Sequence, residues 1–141
     1  MVLPDVNVLV HAHREDSVDH DACRTWLETT LASDRAYGIS ELVVSAFVRI
    51  VTHPRIFDPP SPLEAALAFA ADVLTPEHAV RIAPGPRHWD IFTRLCRSAN
   101  ARGNLITDAY FAAMAVESGC EWISTDGDYG RFDDLVWRRP F

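Results

Sequence analysis

The stretch LITDAYFAAMAVESGCEWISTDGD, residues 105–128, carries the pattern on which the predicted fold depends. Its first part, Leu105–Ser118, is predicted to be a helix, and Gly119 is placed to end that helix as a C′ residue. The apolar segment Glu121–Ser124 follows as a short strand, and the loop after that strand, TDGD, is acidic. A helix that leads directly into an apolar strand is typical of chains in which helices pack on a largely parallel sheet.

The rest of the chain repeats this alternation of short apolar strands with helices of about 10–15 residues. Further helices are predicted at His20–Leu31, Glu41–Thr52, Pro62–Leu74 and Trp89–Ala99. Further strands are predicted from Val2 to near Asp5, and at Ala36–Ile39, Ala79–Ile82 and Leu135–Trp137. Ser40 is a suitable N-cap for the second of these helices, and Pro54 ends it. The pattern predicts one α/β domain, residues 1–141, folded as an α/β/α sandwich with a short, mostly parallel central sheet.

Composition and charge exclude several classes of protein. The chain contains no apolar run long enough to span a membrane, and its first residues do not resemble a signal peptide, so we expect a cytoplasmic protein. Its three cysteines are widely spaced without a CxxC pair, which argues against a disulfide framework or a structural zinc site. A net charge of −7 is a poor match for a protein that binds nucleic acid by electrostatics alone, and a better match for a metalloenzyme.

Acidic residues fall at corresponding points of several predicted elements. Asp5 ends the first strand, Glu41 opens the helix after the second strand, and Asp126 and Asp128 directly follow a later strand. Asp108 lies near the start of the helix Leu105–Ser118 and has no basic neighbour three or four residues away. Because functional groups in parallel α/β sheets collect beyond the carboxyl ends of the strands, we expect these acids to converge.

Carboxylates that crowd together repel one another unless a cation lies among them. All-oxygen ligands suit Mg²⁺ or Mn²⁺, and such ions activate water for in-line attack on a phosphodiester. Each acid also has a simpler explanation. Asp5 could be a turn residue or a helix cap, Glu41 could interact with a helix N-terminus, and Asp126 and Asp128 could form a turn.

Four segments, which are spread along the chain from residue 4 to residue 140, match one known family in order and spacing. They are PDVNVLVHAHRED (residues 4–16), ISELVVSAFVRIVTHP (39–54), NLITDAYFAAMAVESG (104–119) and WISTDGDYGRFDDLVWRRP (122–140). With these motifs the chain resembles the PIN-domain ribonucleases, and specifically the VapC-type toxins of bacterial type II toxin–antitoxin pairs. The resemblance implies a PIN-like α/β/α fold and metal-dependent endoribonuclease activity.

The resemblance also assigns site residues. The four acids of the family fall on Asp5, Glu41, Asp108 and Asp126, as catalytic residues and ligands of Mg²⁺ or Mn²⁺. The residues expected to position substrate or water are Asn7, Thr125 and Asp128. One departure from the family pattern is Tyr129, where Phe is commoner.

The partners implied by the resemblance are a structured RNA substrate such as tRNA or rRNA, a second copy of the chain, and a VapB-type antitoxin that covers the active site. No membrane partner is expected. Two alternatives remain open: a catalytically silent PIN-like binding module, and a phosphatase-type hydrolase that uses Asp5 as nucleophile. The second is weakened because Asn7 stands where a second Asp is expected, and because the chain contains no Lys to bind phosphate.

Overall fold

The computed structural model describes residues 1–141, which form six α-helices and five β-strands. The helices are α1 (Val6–His13), α2 (His20–Ala32), α3 (Glu41–Val51), α4 (Leu63–Leu74), α5 (His88–Ser98) and α6 (Asn104–Ser118). The strands are β1 (Val2–Pro4), β2 (Tyr37–Ile39), β3 (Ala79–Arg81), β4 (Glu121–Ile123) and β5 (Trp137–Arg138). Every predicted helix and strand is present, which confirms the α/β prediction.

All strand pairs are parallel. One ladder has the order β1-β4-β5, with Leu3 opposite Trp122, and a second joins β2 to β3. The lack of a side chain at Gly38 lets the two ladders approach each other closely. A Cβ atom there would lie 3.0 Å from Ile82 Cγ1 and 3.3 Å from the Val2 carbonyl oxygen. A larger side chain at this position would therefore push β2 away from β1.

The ends of the helices follow local capping chemistry. The Ser40 side chain accepts a hydrogen bond from the Leu42 N–H at the start of α3, as the sequence predicts. Gly119 ends α6 with a φ of 68°, in the left-handed region that glycine adopts without strain. The C-terminal loop contains a short 3₁₀ helix, Gly127–Arg131, that the sequence pattern did not predict.

The buried apolar residues form one contiguous core. Helix α6 packs closely against it through fully buried alanines, and the Phe111 ring stacks on Trp122 of β4 at 5.9 Å between centroids. This packing fixes the start of α6 beside the carboxyl ends of β1 and β4. None of the six helices is both long and apolar enough to cross a membrane.

Candidate active site

Asp5 is a buried carboxylate at the carboxyl end of β1. Its backbone N–H donates to the Ile123 carbonyl at 2.8 Å, which ties the end of β1 to the end of β4. One carboxylate oxygen accepts a hydrogen bond from the Val6 N–H at 2.6 Å, so Asp5 also caps α1. The other accepts from Asn7 Nδ2 at 2.8 Å and from Ser124 Oγ at 2.7 Å. These three hydrogen bonds hold the side chain of Asp5 in one orientation.

The loop after β4 is fastened to the start of α1 by the same small network. Ser124 Oγ accepts hydrogen bonds from Asn7 Nδ2 at 2.9 Å and from the Asp126 N–H at 3.0 Å. Asn7 Oδ1 in turn accepts from the Thr125 N–H at 3.2 Å. Asp126 is therefore placed close to Asp5 by hydrogen bonds between segments more than a hundred residues apart in sequence.

Asp108 completes a cleft of about 380 Å³ beside this network. The polar residues that line the cleft are Asp5, Asn7, His11, Arg49, Thr107, Asp108, Asp126 and Tyr129. The apolar ones are Val6, Val10, Ala46, Ile50 and Phe111. Three carboxylates thus share a largely apolar cleft of a size that commonly holds ligands.

Two of the cleft carboxylates, those of Asp5 and Asp108, have raised pKa values, and burial is the largest cause for both. Burial raises the pKa of Asp5 to about 7, and the charges of Asp108 and Asp126 add to this effect. The hydrogen bonds from Ser124 and Val6 oppose the rise. Burial, followed by the charges of Asp126 and Asp128, raises the pKa of Asp108 to about 6. A cation bound here would relieve this repulsion.

Tyr129 forms part of the cleft wall and is almost completely buried. Burial and the charges of Asp5 and Asp108 raise the pKa of its phenol, so the hydroxyl stays protonated. The departure from Phe at this position therefore places a phenol hydroxyl in the wall of the cleft.

The structure brings together some of the predicted site residues and leaves others at a distance from the cleft. Asp5, Asn7, Asp108 and Asp126 line the cleft. Glu41 is exposed in the first turn of α3 and does not line it, and neither does the half-buried Thr125. Asp128 is exposed, yet its charge contributes to the raised pKa of Asp108.

Several residues that line or support the cleft were not predicted as site residues from the sequence, among them Ser124, Tyr129 and Arg49. Ser124 follows β4 at the edge where Asp5 follows β1, so its position beside an acidic loop was a usable signal. Arg49 lies eight residues after Glu41 on α3, and nothing in the local pattern distinguishes it from a solvent-exposed arginine.

The residues present fit a magnesium or manganese ion in their chemistry. The nearest donors are carboxylate oxygens, the ligands that these hard cations prefer. No three or more acidic, histidine or cysteine side chains are arranged so that together they could hold a metal ion. Mg²⁺ commonly binds through one or two carboxylates and keeps several waters, so a complete cage is not required.

Comparison with known proteins places the chain in a family. Residues 2–135 match the PIN domain. Ribonuclease VapC25 of Mycobacterium tuberculosis is 42% identical over 140 residues, which cover 99% of each chain. Ribonuclease VapC31 of the same species is 41% identical over 140 residues, again 99% of each chain.

Solved structures share the fold at low sequence identity. One match is the structure of VapBC2 from Rickettsia felis bound to a DNA fragment from the VapBC2 promoter. Its TM-score is 0.71 at 14% identity, over 99% of this chain and 98% of that one. Mycobacterium tuberculosis VapC20, a sarcin-ricin loop cleaving toxin, matches with a TM-score of 0.67 at 14% identity, over 96% of this chain and 98% of that one. The chain therefore belongs to the PIN-domain family, among the VapC ribonucleases.

Proposed function

We propose that this chain is a magnesium- or manganese-dependent endoribonuclease, the toxin of a type II toxin–antitoxin pair, which cuts structured RNA such as tRNA or rRNA. The observation that carries the proposal is the cleft in which Asp5, Asp108 and Asp126 lie together without a positively charged partner for their carboxylates. Full-length similarity to VapC ribonucleases supports RNA as the substrate class.

Asp5 and Asp108 are the proposed principal metal ligands. Asp5 is held by three hydrogen bonds, and Asp108 projects from α6 into the same cleft. Asp126 completes the acidic group in the cleft, and we assign Glu41 as a further ligand that would have to reach the metal from the exposed start of α3, outside the cleft lining. A bound divalent ion would screen the charge of the scissile phosphate and activate a water molecule for in-line attack.

The other proposed roles belong to residues around the carboxylates. Asn7 bridges Asp5 and the Thr125 backbone, so it fixes the distance between α1 and the loop after β4. Thr125 and Asp128 lie on that loop, and we assign to them the positioning of water or substrate. Outer partners of metal ligands typically change metal affinity or activity by about 10–100-fold when they are removed.

The proposed partners follow from the relatives. Neighbouring folds include VapBC2 and FitAB, each solved with a DNA fragment. We assign to this chain a cognate VapB-type antitoxin that covers the cleft and inhibits cleavage, and a homodimer as its assembled state. Its place of action would be the cytoplasm, where its RNA substrate is found.

The test is incubation of the full chain with total bacterial RNA in Mg²⁺ or in a chelator, followed by mapping of new 5′ ends. The wild-type protein should cut at one or a few sites, and only with the metal. Asp108→Asn should lose at least about 100-fold in cleavage rate, since a direct ligand should matter no less than an outer one. The matched control is Asp34→Asn, an exposed aspartate outside the cleft, which should cut like the wild type.

Three other outcomes would contradict the proposal. Cleavage unaffected by both Asp5→Asn and Asp108→Asn would rule out the metal site. An intact RNA pool at every metal concentration would favour the silent binding module. Hydrolysis of phosphomonoesters in place of RNA would favour the phosphatase alternative.

A further inference from the structure

Helix α3 contributes a second kind of side chain to the cleft. Ala46, Arg49 and Ile50 of this helix line it, whereas the three carboxylates come from the ends of β1 and β4 and from α6. Arg49 is exposed in the last turn of α3. It is the only arginine among the lining residues, and the chain contains no lysine.

The guanidinium of Arg49 has no partner in the protein. The four ion pairs of the structure join Arg14 to Asp16, Arg24 to Glu28, Arg94 to Asp134 and Arg138 to Glu121. Arg49 also donates no side-chain hydrogen bond, and its charge is not among those that shift the pKa of Asp5 or Asp108. It therefore shares a cleft with carboxylates but does not neutralise them.

The cleft also has apolar lining residues. Val10, Ile50 and Phe111 are among them, and the Phe111 ring is fixed by its stacking on Trp122. A strand whose scissile phosphate lies at the carboxylates can place a nucleoside on this surface and a further phosphate within reach of α3. Guanidinium groups bind phosphates through paired hydrogen bonds, and such contacts set the register of a bound strand.

We propose that Arg49 binds an RNA phosphate adjacent to the scissile one and so sets the register of the strand in the cleft. This inference rests on the proposed ribonuclease function for the identity of the ligand. The net charge of −7 repels RNA in general, so a single unpaired cation inside the acidic cleft has a large effect on local binding.

The experiment measures RNA binding apart from cleavage. The full chain carrying Asp108→Asn binds a fluorescently labelled, single-stranded RNA oligonucleotide of mixed sequence, with anisotropy recorded over a range of salt concentrations. Arg49→Gln is added to this background, and Arg97→Gln is the matched control. Arg97 is likewise exposed in the last turn of its helix, α5, has no ion pair, and lies outside the cleft.

Arg49→Gln should weaken binding by about tenfold, because a charge-assisted contact is lost. The slope of log affinity against log salt should fall in magnitude by roughly 0.7, the value for one phosphate contact with a single strand. Arg97→Gln should change neither quantity. Arg49→Lys should restore most of the slope, because it keeps the positive charge. It should not restore all of it, because lysine lacks the planar pair of donors. Melting temperatures should agree among these variants, because both arginines are exposed.

Equal affinity and slope with and without Arg49→Gln would overturn the inference, as would equal losses in Arg49→Gln and Arg97→Gln. A loss of antitoxin binding by Arg49→Gln with unchanged RNA binding would also overturn it and assign Arg49 to the protein interface. Failure of the ribonuclease proposal is separately visible. In that case the wild type would cut no RNA, while Arg49→Gln would still reduce the salt slope.

Discussion

The two ends of helix α1 differ in how their charges are balanced. At the C-terminal end, Arg14 donates hydrogen bonds to the two carboxylate oxygens of Asp16 at 2.9 and 2.7 Å, and one to Ser61 Oγ at 3.2 Å. Its guanidinium carbon lies 4.2 Å from the centroid of the Phe57 ring. The hydrogen bond and the charge of Arg14 lower the pKa of Asp16. Arg14 and Asp16 at this end therefore balance each other's charge.

At the N-terminal end the hydrogen bonds are satisfied but the charges are not. Asp5 accepts three hydrogen bonds, yet its neighbours Asp108 and Asp126 carry the same charge, and its pKa rises to about 7. Hydrogen bonds can orient a buried carboxylate without supplying an opposite charge. The difference agrees with a stabilising role for the C-terminal end and with the cation that we propose for the N-terminal end.

The largest expected effect is that a metal ion stabilises the fold by binding at the N-terminal end of α1 and not at its C-terminal end. Mn²⁺ at about 100 times its Kd should stabilise the fold by about 2.7 kcal/mol. For a chain of this size that corresponds to roughly 10 °C in melting temperature, measured by scanning calorimetry. Arg14→Gln should lower the starting Tm but keep the full increment, whereas Asp108→Asn should lose most of it. Equal increments in Asp108→Asn and the wild type would contradict a metal site in the cleft.

The second prediction compares the buried serines at the two ends. Ser124→Ala removes the 2.7 Å donor to Asp5 and the acceptor of the Asn7 and Asp126 hydrogen bonds, so Mn²⁺ affinity should fall by about 10–100-fold. Ser61→Ala removes contacts to His13 and Arg14 and should cost about 1 kcal/mol of stability without a change in affinity. Titration calorimetry with Mn²⁺ measures the affinity, and equal affinities in the two variants would remove the distinction between the ends.

The smallest expected effect is the dependence of stability on pH. It should have opposite signs at the two ends of α1. In the metal-free protein the pKa of Asp108 is about 6, against an ordinary value of 3.8. The folded state binds more protons between these values, so stability falls as pH rises through this window. Asp108→Asn removes this penalty and should raise the Tm at pH 8, with a difference that shrinks toward pH 4.

Asp16→Asn is the matched control at the other end. The lowered pKa of Asp16 contributes stability above its ordinary pKa, and this contribution disappears as pH falls. The substitution should therefore lower the Tm at pH 8 and have little effect in acid. Thermal melts from pH 4 to pH 8 measure how each variant, Asp108→Asn and Asp16→Asn, changes the Tm relative to the wild type. If both substitutions changed the Tm in the same direction at pH 8, the charges of the two ends of α1 would be balanced alike.

Local patterns in the sequence are sufficient to predict the helices, the strands and the candidate acids. Capping and turn chemistry act within a few residues, so Ser40 at the start of α3 and Gly119 at the end of α6 could be identified from the chain alone. The positions of Asp5, Glu41, Asp108 and Asp126 at the ends of predicted elements followed from the same local pattern, and the matching motifs assigned all four to one site.

The hydrogen bonds that hold these residues, and the choice of which residues share the cleft, depend on how the chain folds. Ser124 binds Asp5 across 119 residues of chain, and Arg49 enters the cleft while Glu41 on the same helix lies outside it. The raised pKa values of Asp5 and Asp108 depend on burial and on charges from remote segments. Local sequence cannot encode these features one by one, because desolvation and Coulomb interactions depend on which distant segments the folded core brings together.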